Sequence, residues 1–267
     1  MFPLKTATLP SSAEALERLL NESLRCVFDV KVDPVSIRDA SYPHLAEINV
    51  SLDHAALRPQ PPRPQFISGK SSPALKVDQL ALRAAALSVG PASVDLSLSA
   101  RAVELVQGKD ADDEIVLSLQ DAAEGKIEIS TSLADLEKLI AQMAKNEAGK
   151  HGVTVENVRL TAREKSAHSL EAEVRLQARK LFMSASIRVT GQLNLDDELN
   201  AKISGLTCKG DGAIASVACS VLTPHLQKLD GREFPLMSLP LGEVRLRDVR
   251  LAVTDQLVVT AEFGSAT

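Results

Sequence analysis

The side chains able to do chemistry are few in this chain and are not gathered. Five histidines, His44, His54, His151, His168 and His225, are scattered along 267 residues. None stands in the His-Glu-x-x-His or two-His-plus-carboxylate spacing that would set metal ligands on one helix face, so each reads as a surface or loop histidine. There is no Gly-x-Ser-x-Gly elbow and no Walker loop, hence no visible hydrolytic nucleophile or phosphate cradle. Asp110, Asp112, Asp113 and Glu114 concentrate enough carboxylate to attract calcium, but Ile115 stands where an EF-hand loop needs its glycine. That cluster, and Asp196, Asp197 and Glu198 farther on, read as solvated hairpin tips. No metal site, cofactor site or catalytic residue is expected.

One nucleotide-like spacing remains. Gly210, Gly212 and Ala215 fit G-x-G-x-x-A between a strand-like segment and a helix. In a dinucleotide fold those positions give a tight turn, close approach of pyrophosphate and close helix packing. That fold needs repeated parallel crossovers, whereas the flanking segments here alternate like antiparallel strands. The glycines therefore read as turn-makers before a helix. Three cysteines, Cys26, Cys208 and Cys219, lack Cys-x-x-Cys spacing and are too few for a disulfide framework. A Cys208–Cys219 bridge stays open, with reduced, packed thiols as the expectation.

Composition sets the frame for these residues. Hydrophobic residues make up 45% and charged residues 24%, an ordinary globular balance. With no Trp and one Tyr, the interior must be aliphatic. A net charge of -5 argues against non-specific nucleic-acid binding, which needs clustered Lys and Arg, and against adhesion to anionic lipid driven by overall charge; a local basic patch stays open. The N-terminal MFPLKTATLPSS has no sustained apolar run, so no signal peptide is expected. No apolar run approaches the ~18 residues of a membrane span. The expected place is cytoplasmic or peripheral to a membrane, or the envelope if a targeting segment has been removed.

The elements follow from periodicity. Ser11 and Glu14 fit a capping box, and Leu16, Leu19, Leu20 and Leu24 give the following helix one apolar face. Alternating segments follow: Phe28 to Val32, Ile48 to Leu52, Leu75 to Leu98 and Ile115 to Leu119. The proline-rich 58–65 segment interrupts them as a loop. A second helix runs from Ser132 to about Ala148, capped by Ser132 with Asp135 and stopped by Gly149, with Leu133, Leu136, Leu139, Ile140 and Met143 as its stripe. Leu170, Ala172, Val174, Leu176 and Ala178 then alternate with polar residues, as in an antiparallel sheet with one wet face. A third helix spans roughly Gly212 to Leu229, with Pro224 as an expected kink or restart.

A short pattern recurs four times, at Val32/Val35/Ile37, Val77/Leu80/Leu82, Val155/Val158/Leu160 and Leu246/Val249/Leu251. Its shift from even to odd positions predicts a bulge or bend. The repeating unit reads as a helix followed by long, bent antiparallel strands, used three times. Such units must pack on one another to close their apolar faces. The expectation is one interlocked domain over 1–267, with pseudo-halves 1–124 and 125–267.

Several stretches carry a resemblance. VTGQLNLDDELNAKISGL (Val189–Leu206), GDGAIASVACSVLTPHLQKLDGREFPL (Gly210–Leu236) and LPLGEVRLRDVRL (Leu239–Leu251) resemble the LmeA-like phospholipid-binding family of bacteria. GKIEISTSLADLEKLI (Gly125–Ile140) before VTVENVRL (Val153–Leu160) is similar to that family's middle helix and strand. The order of N-terminal helix, VKVDPVSI, AEINVSL and LKVDQLAL is similar to its first half. The resemblance implies an α+β, tubular lipid-binding-like fold in which long curved antiparallel sheets wrap about three amphipathic helices. It also implies a non-catalytic protein whose partner is phospholipid or another hydrophobic ligand, with peripheral membrane contact and no nucleic acid. Sheets wrapped around helices would face the helical stripes, so Leu136, Ile140, Met143, Ile214, Val217 and Val221 are the expected cavity lining. The alternative is a structural or protein-interaction scaffold with an ordinary packed core.

Overall fold

The computed structural model describes residues 4–62, 66–150, 153–180, 183–196, 200–235 and 246–265. Helix α1 (Ala13–Val27) starts one residue later than its sequence signature: Ser12, not Ser11, accepts the N-terminal hydrogen bond, from Ala15 N at 3.3 Å. Its apolar face buries Leu16, Leu24 and Val27. On the same helix, buried Asn21 acts as a strand mimic. Its amide donates to Val35 O (3.1 Å) and accepts from Val35 N (2.8 Å), satisfying the backbone where it enters β2. After β1 (Phe28–Asp29) come β2 (Val35–Ser41), β3 (His44–Ser51) and β4 (Ala56–Leu57). The proline-bearing connection then leads to two strands of 18 residues each, β5 (Ser72–Val89) and β6 (Ala92–Lys109). At ~3.3 Å per residue these are about 60 Å long.

Strands β7 (Ile115–Asp121) and β8 (Glu124–Ser132) complete the first run, and helix α2 (Leu133–Gly149) follows. Ser132 Oγ accepts from Asp135 N at 3.0 Å, the cap expected from sequence. Four long strands form the next run: β9 (Thr154–Ser166), β10 (Ser169–Lys180), β11 (Met183–Leu195) and β12 (Asn200–Asp211). Helix α3 (Ala213–Leu229) continues through Pro224 without a break in its helical span. Then come β13 (Glu233–Pro235), β14 (Leu246–Val253) and β15 (Gln256–Phe263). Asp197, Glu198, His151 and Phe182, and the 236–245 part of the family-like segments, lie outside the described residues.

Two sheets result. The large one has ten strands, with β1, β4, β5, β6, β8, β15 and β14 as its path and β2, β3 and β7 attached to it. The small one is β13, β12, β11, β10, β9. Pairing is antiparallel-dominated and the molecule is α+β. An all-antiparallel arrangement is nonetheless incomplete, because β3 and β4 pair with β5 in parallel. The connection after β4 carries the chain back to the far end of the sheet, so β5 enters in the direction of β3. The boundary near residue 124 does not separate the sheets, since β8, β14 and β15 join the large one.

The recurring pattern has a structural counterpart. Register shifts fall inside two of its copies, between Arg247 and Arg250 and opposite the Gln177–Ala178 step, where Glu156 is extra. Asp248, within the first of these, has φ 47°. The largest core lies under α1, among Leu16, Leu45, Leu52, Val77, Val103 and Phe263. Gly125 is required there: a Cβ on it would sit 2.1 Å from the Phe263 ring.

Candidate hydrophobic-ligand site

Register arranges one face of the small sheet into apolar rows. Val174 lies opposite Leu160 and Val189, and Val189 opposite Cys208. In the next row Ala172 lies opposite Ala162 and Gly191. Gly191 makes room for Leu206: a Cβ on it would come within 2.6 Å of Leu206 Cδ2. The row is therefore shallow, with small residues between larger neighbours.

Three elements cover the margins of this face. Helix α2 packs on the edge strand β9, where Val155, Val158 and Leu160 are buried. Helix α3 packs on β12 and β11, and its Ala215 and Cys219 join Ala185 and Ile187 in one buried cluster. At the opposite end Val249, Leu251 and Ala261, from the large sheet, pack with Leu170, Leu195 and Ala201. Ala172 and Leu193 pack against this inter-sheet cluster, Leu176 and Val189 against the α3 cluster, and Val174 lies between them; all five are only half-buried. The result is a half-buried apolar strip of strand residues, hereafter the trough, bordered by α2, α3 and the β14–β15 pair.

Half-buried apolar rows also occur on the large sheet, at the margin of the main core. Leu246 packs against both the main core and the cluster that joins the sheets. Beyond it, Leu82 faces Leu98 across a strand pair, and Leu96, Ile129 and Val259 form the neighbouring row. All five are half-buried. Leu246 thus links the aliphatic residues of the main core to those between the sheets. Such a surface has the apolar character of a hydrocarbon-binding site.

The sequence-derived lining residues fall in three places. Leu136 and Ile140 are half-buried on α2. Met143 is 65% exposed, so it stands at the outer surface and not in an enclosed lining. The reason is that α2 lies on the edge strand β9, and no second layer covers its far side among the described residues. Ile214, Val217 and Val221 belong to α3, but their side chains lie outside the described residues. Residues of the floor, Ala172, Val174 and Val189, were legible as a buried strand face yet gave no sequence sign of a ligand surface.

The glycines of the G-x-G-x-x-A match act in packing. A Cβ on Gly210 would meet Ala215 Cβ at 2.5 Å, so Gly210 lets α3 lie against β12, and Gly212 takes φ 90° at the turn into the helix. Cys208 and Cys219 are joined in a disulfide, with Cα atoms 5.5 Å apart, which corrects the expectation of reduced thiols. The short β12–α3 turn and the close Gly210–Ala215 contact bring the two residues together. Cys26 is free.

Charged features lie elsewhere. A depression of about 590 Å³ over β5, β6 and β8 is lined by Gln79, Ser99, Arg101, Glu124 and Lys126, among others. Its charges answer one another: Arg101 pairs with Glu124 at 2.9 Å and Lys126 with Glu128 at 3.5 Å. In the acidic hairpin, Asp110 accepts from the backbone of Asp112 and Glu114, so its carboxylate closes the turn. At the start of α2, hydrogen bonds from Lys138 and Ser132 hold the Asp135 carboxyl below its ordinary range. Burial raises the Tyr42 hydroxyl, which donates to Pro10 O. Among the described residues there is no group of three or more His, Cys, Asp or Glu side chains placed to hold a metal. None of the described helices is long and apolar enough to cross a membrane. Compared with protein families, with curated proteins and with solved structures, the chain finds no match.

Proposed function

We propose that this protein binds, without catalysis, a lipid or another hydrophobic ligand in the trough between its sheets, and exchanges it at a membrane surface. The observation that carries the reading is the half-buried apolar strand face on which Ala172 and Leu193 pack against one cluster, Val189 against another, and Val174 lies between them. Leaving such rows wet wastes burial worth ~25 cal/mol per Å², and an acyl chain would recover it. Each methylene moved from water is worth about 0.8 kcal/mol, but a methylene moved from a bilayer gains almost nothing, so loading and release stay near balance. That balance suits exchange.

The long strands, the helices laid on apolar sheet faces and the sequence resemblance together support an LmeA-like, tubular lipid-binding-like arrangement. The Cys208–Cys219 bond supports a place facing an oxidising compartment, where such bonds persist. The scaffold alternative requires apolar faces filled by the protein itself, and the half-buried rows weigh against it. Transfer of a fluorescent phospholipid between donor and acceptor vesicles tests the proposal. Protein-dependent transfer that saturates with protein is expected. Spontaneous-rate transfer at every protein concentration would overturn it.

A further inference from the structure

The wet face of the small sheet carries a row of cations. Arg159 on β9 lies directly opposite Arg175 on β10, Arg175 opposite Arg188 on β11, and Arg188 opposite Lys209 on β12. All four side chains are exposed. At ~4.8 Å between strands the row is about 14 Å across. Directly opposed like charges destabilise a strand pair, so nothing in sheet stability favours this order.

Several rows elsewhere in the molecule are built the other way, although Glu104 does lie opposite Asp121. Lys126, Glu262 and Arg247 alternate in sign across three strands. Lys76 faces Glu104, Arg101 faces Glu124, Arg38 faces Glu47 and Lys202 faces Glu233. In the cationic row a single carboxylate, Glu173, serves both Arg175 and Arg188, the latter at 3.6 Å. Among the described residues Arg159 and Lys209 have no acidic partner at ion-pair distance. This concentration of positive charge sits on a chain whose net charge is -5.

We propose that the Arg159–Arg175–Arg188–Lys209 row docks the protein on an anionic bilayer surface. A sheet face with cations on four adjacent strands offers complementary charge to a layer of anionic headgroups. It lacks what single-stranded nucleic acid requires, since β9, β10, β11 and β12 contain no aromatic residue on which a base could stack. The apolar trough is the opposite face of the same sheet, so docking would hold the ligand-bearing face on a fixed side of the protein. The inference takes its membrane partner from the carrier reading, but its test does not depend on cargo.

The test is sedimentation of the full chain with vesicles of phosphatidylcholine alone, or mixed with phosphatidylglycerol, at low salt and at ~0.15 M salt. Binding is expected only with phosphatidylglycerol, weakening as salt rises. Arg159→Gln with Lys209→Gln should reduce binding about fivefold per cation removed, while Arg38→Gln with Lys76→Gln, an equal charge change on the large sheet, should not. Equal losses from both double variants, or binding indifferent to lipid charge, would overturn the proposal. Tighter binding to single-stranded RNA than to anionic vesicles at the same salt would overturn it in favour of nucleic acid. Native mass spectra of the vesicle-blind variant separate the two readings: bound cargo retained there leaves the carrier reading standing whichever way docking falls.

Discussion

Glu137 Oε1 accepts a hydrogen bond from Leu160 N at 2.7 Å, tying α2 to the outer strand of the small sheet. Glu17 on α1 makes the same bond, at 2.7 Å, to Ile37 N on β2, an outer strand of the large sheet. Ile37 and Leu160 occupy the same place in the recurring sequence pattern. A strand at a sheet edge has unpaired backbone donors, and a helix glutamate satisfies one of them in each unit. The repetition is thus one of hydrogen bonding as well as of element order.

Replacing Glu137 by Ala should destabilise the protein by about 1.5–3 kcal/mol, the net worth of a hydrogen bond to a charged group. Amide hydrogen exchange gives the sharper reading. Protection at Leu160 and along α2 should fall while the core under α1 keeps its protection.

The cap of α2 is sensitive to acid. Asp135 titrates below its ordinary value of 3.8 because Lys138 and Ser132 bond to the carboxylate. A lowered native value contributes stability that is present above the unfolded value and lost as pH falls through the native one. Wild type should therefore exceed Asp135→Asn in thermal stability at neutral pH, and the difference should fade below about pH 3.8. Ser132→Ala should cost about 1 kcal/mol at neutral pH through loss of the cap.

Reduction of Cys208–Cys219 should lower stability by about 3 kcal/mol or less, as expected for so short a loop. Because Cys219 is buried with Ala185 and Ile187, the loosened part should be α3 and the neighbouring ends of β11 and β12. Exchange measured with and without reductant should locate the change there, and Cys208→Ser should reproduce it.

The cationic row makes a prediction about folding too. Arg159→Thr removes one member of an opposed like-charge pair and introduces a good strand former. Chemical denaturation should show a gain of about 0.2–1 kcal/mol, with vesicle binding reduced in the same variant.

Much of the fold was legible because periodicity reports burial. Leu170 to Ala178 alternates in sequence and faces one side in the sheet, and the α2 cap stands where Ser132 and Asp135 place it. Parallel pairing of β3 with β5 was not legible, since a strand's pattern says which face is apolar and not which neighbour it meets. The disulfide was missed because spacing along the chain does not reveal that Gly210 draws Ala215, and with it Cys219, onto β12. Met143 was misplaced for a related reason: a helical stripe identifies an apolar face, while the width of its cover depends on the sheet beneath. The cationic row required the register of four strands, because Arg159, Arg175, Arg188 and Lys209 are far apart in sequence.

The central claim concerns the trough, and Val174 is its most direct probe. Val174 is half-buried and lies between Leu160 and Val189 across the sheet, so both of its cross-strand neighbours are apolar. Native mass spectrometry of the detergent-free protein, offered phospholipid vesicles and then separated from them, should show a lipid-sized mass addition that is absent from a folded Val174→Asp variant. A wild-type protein that stays ligand-free after this exposure, or a Val174→Asp variant that loads equally well, would contradict the account.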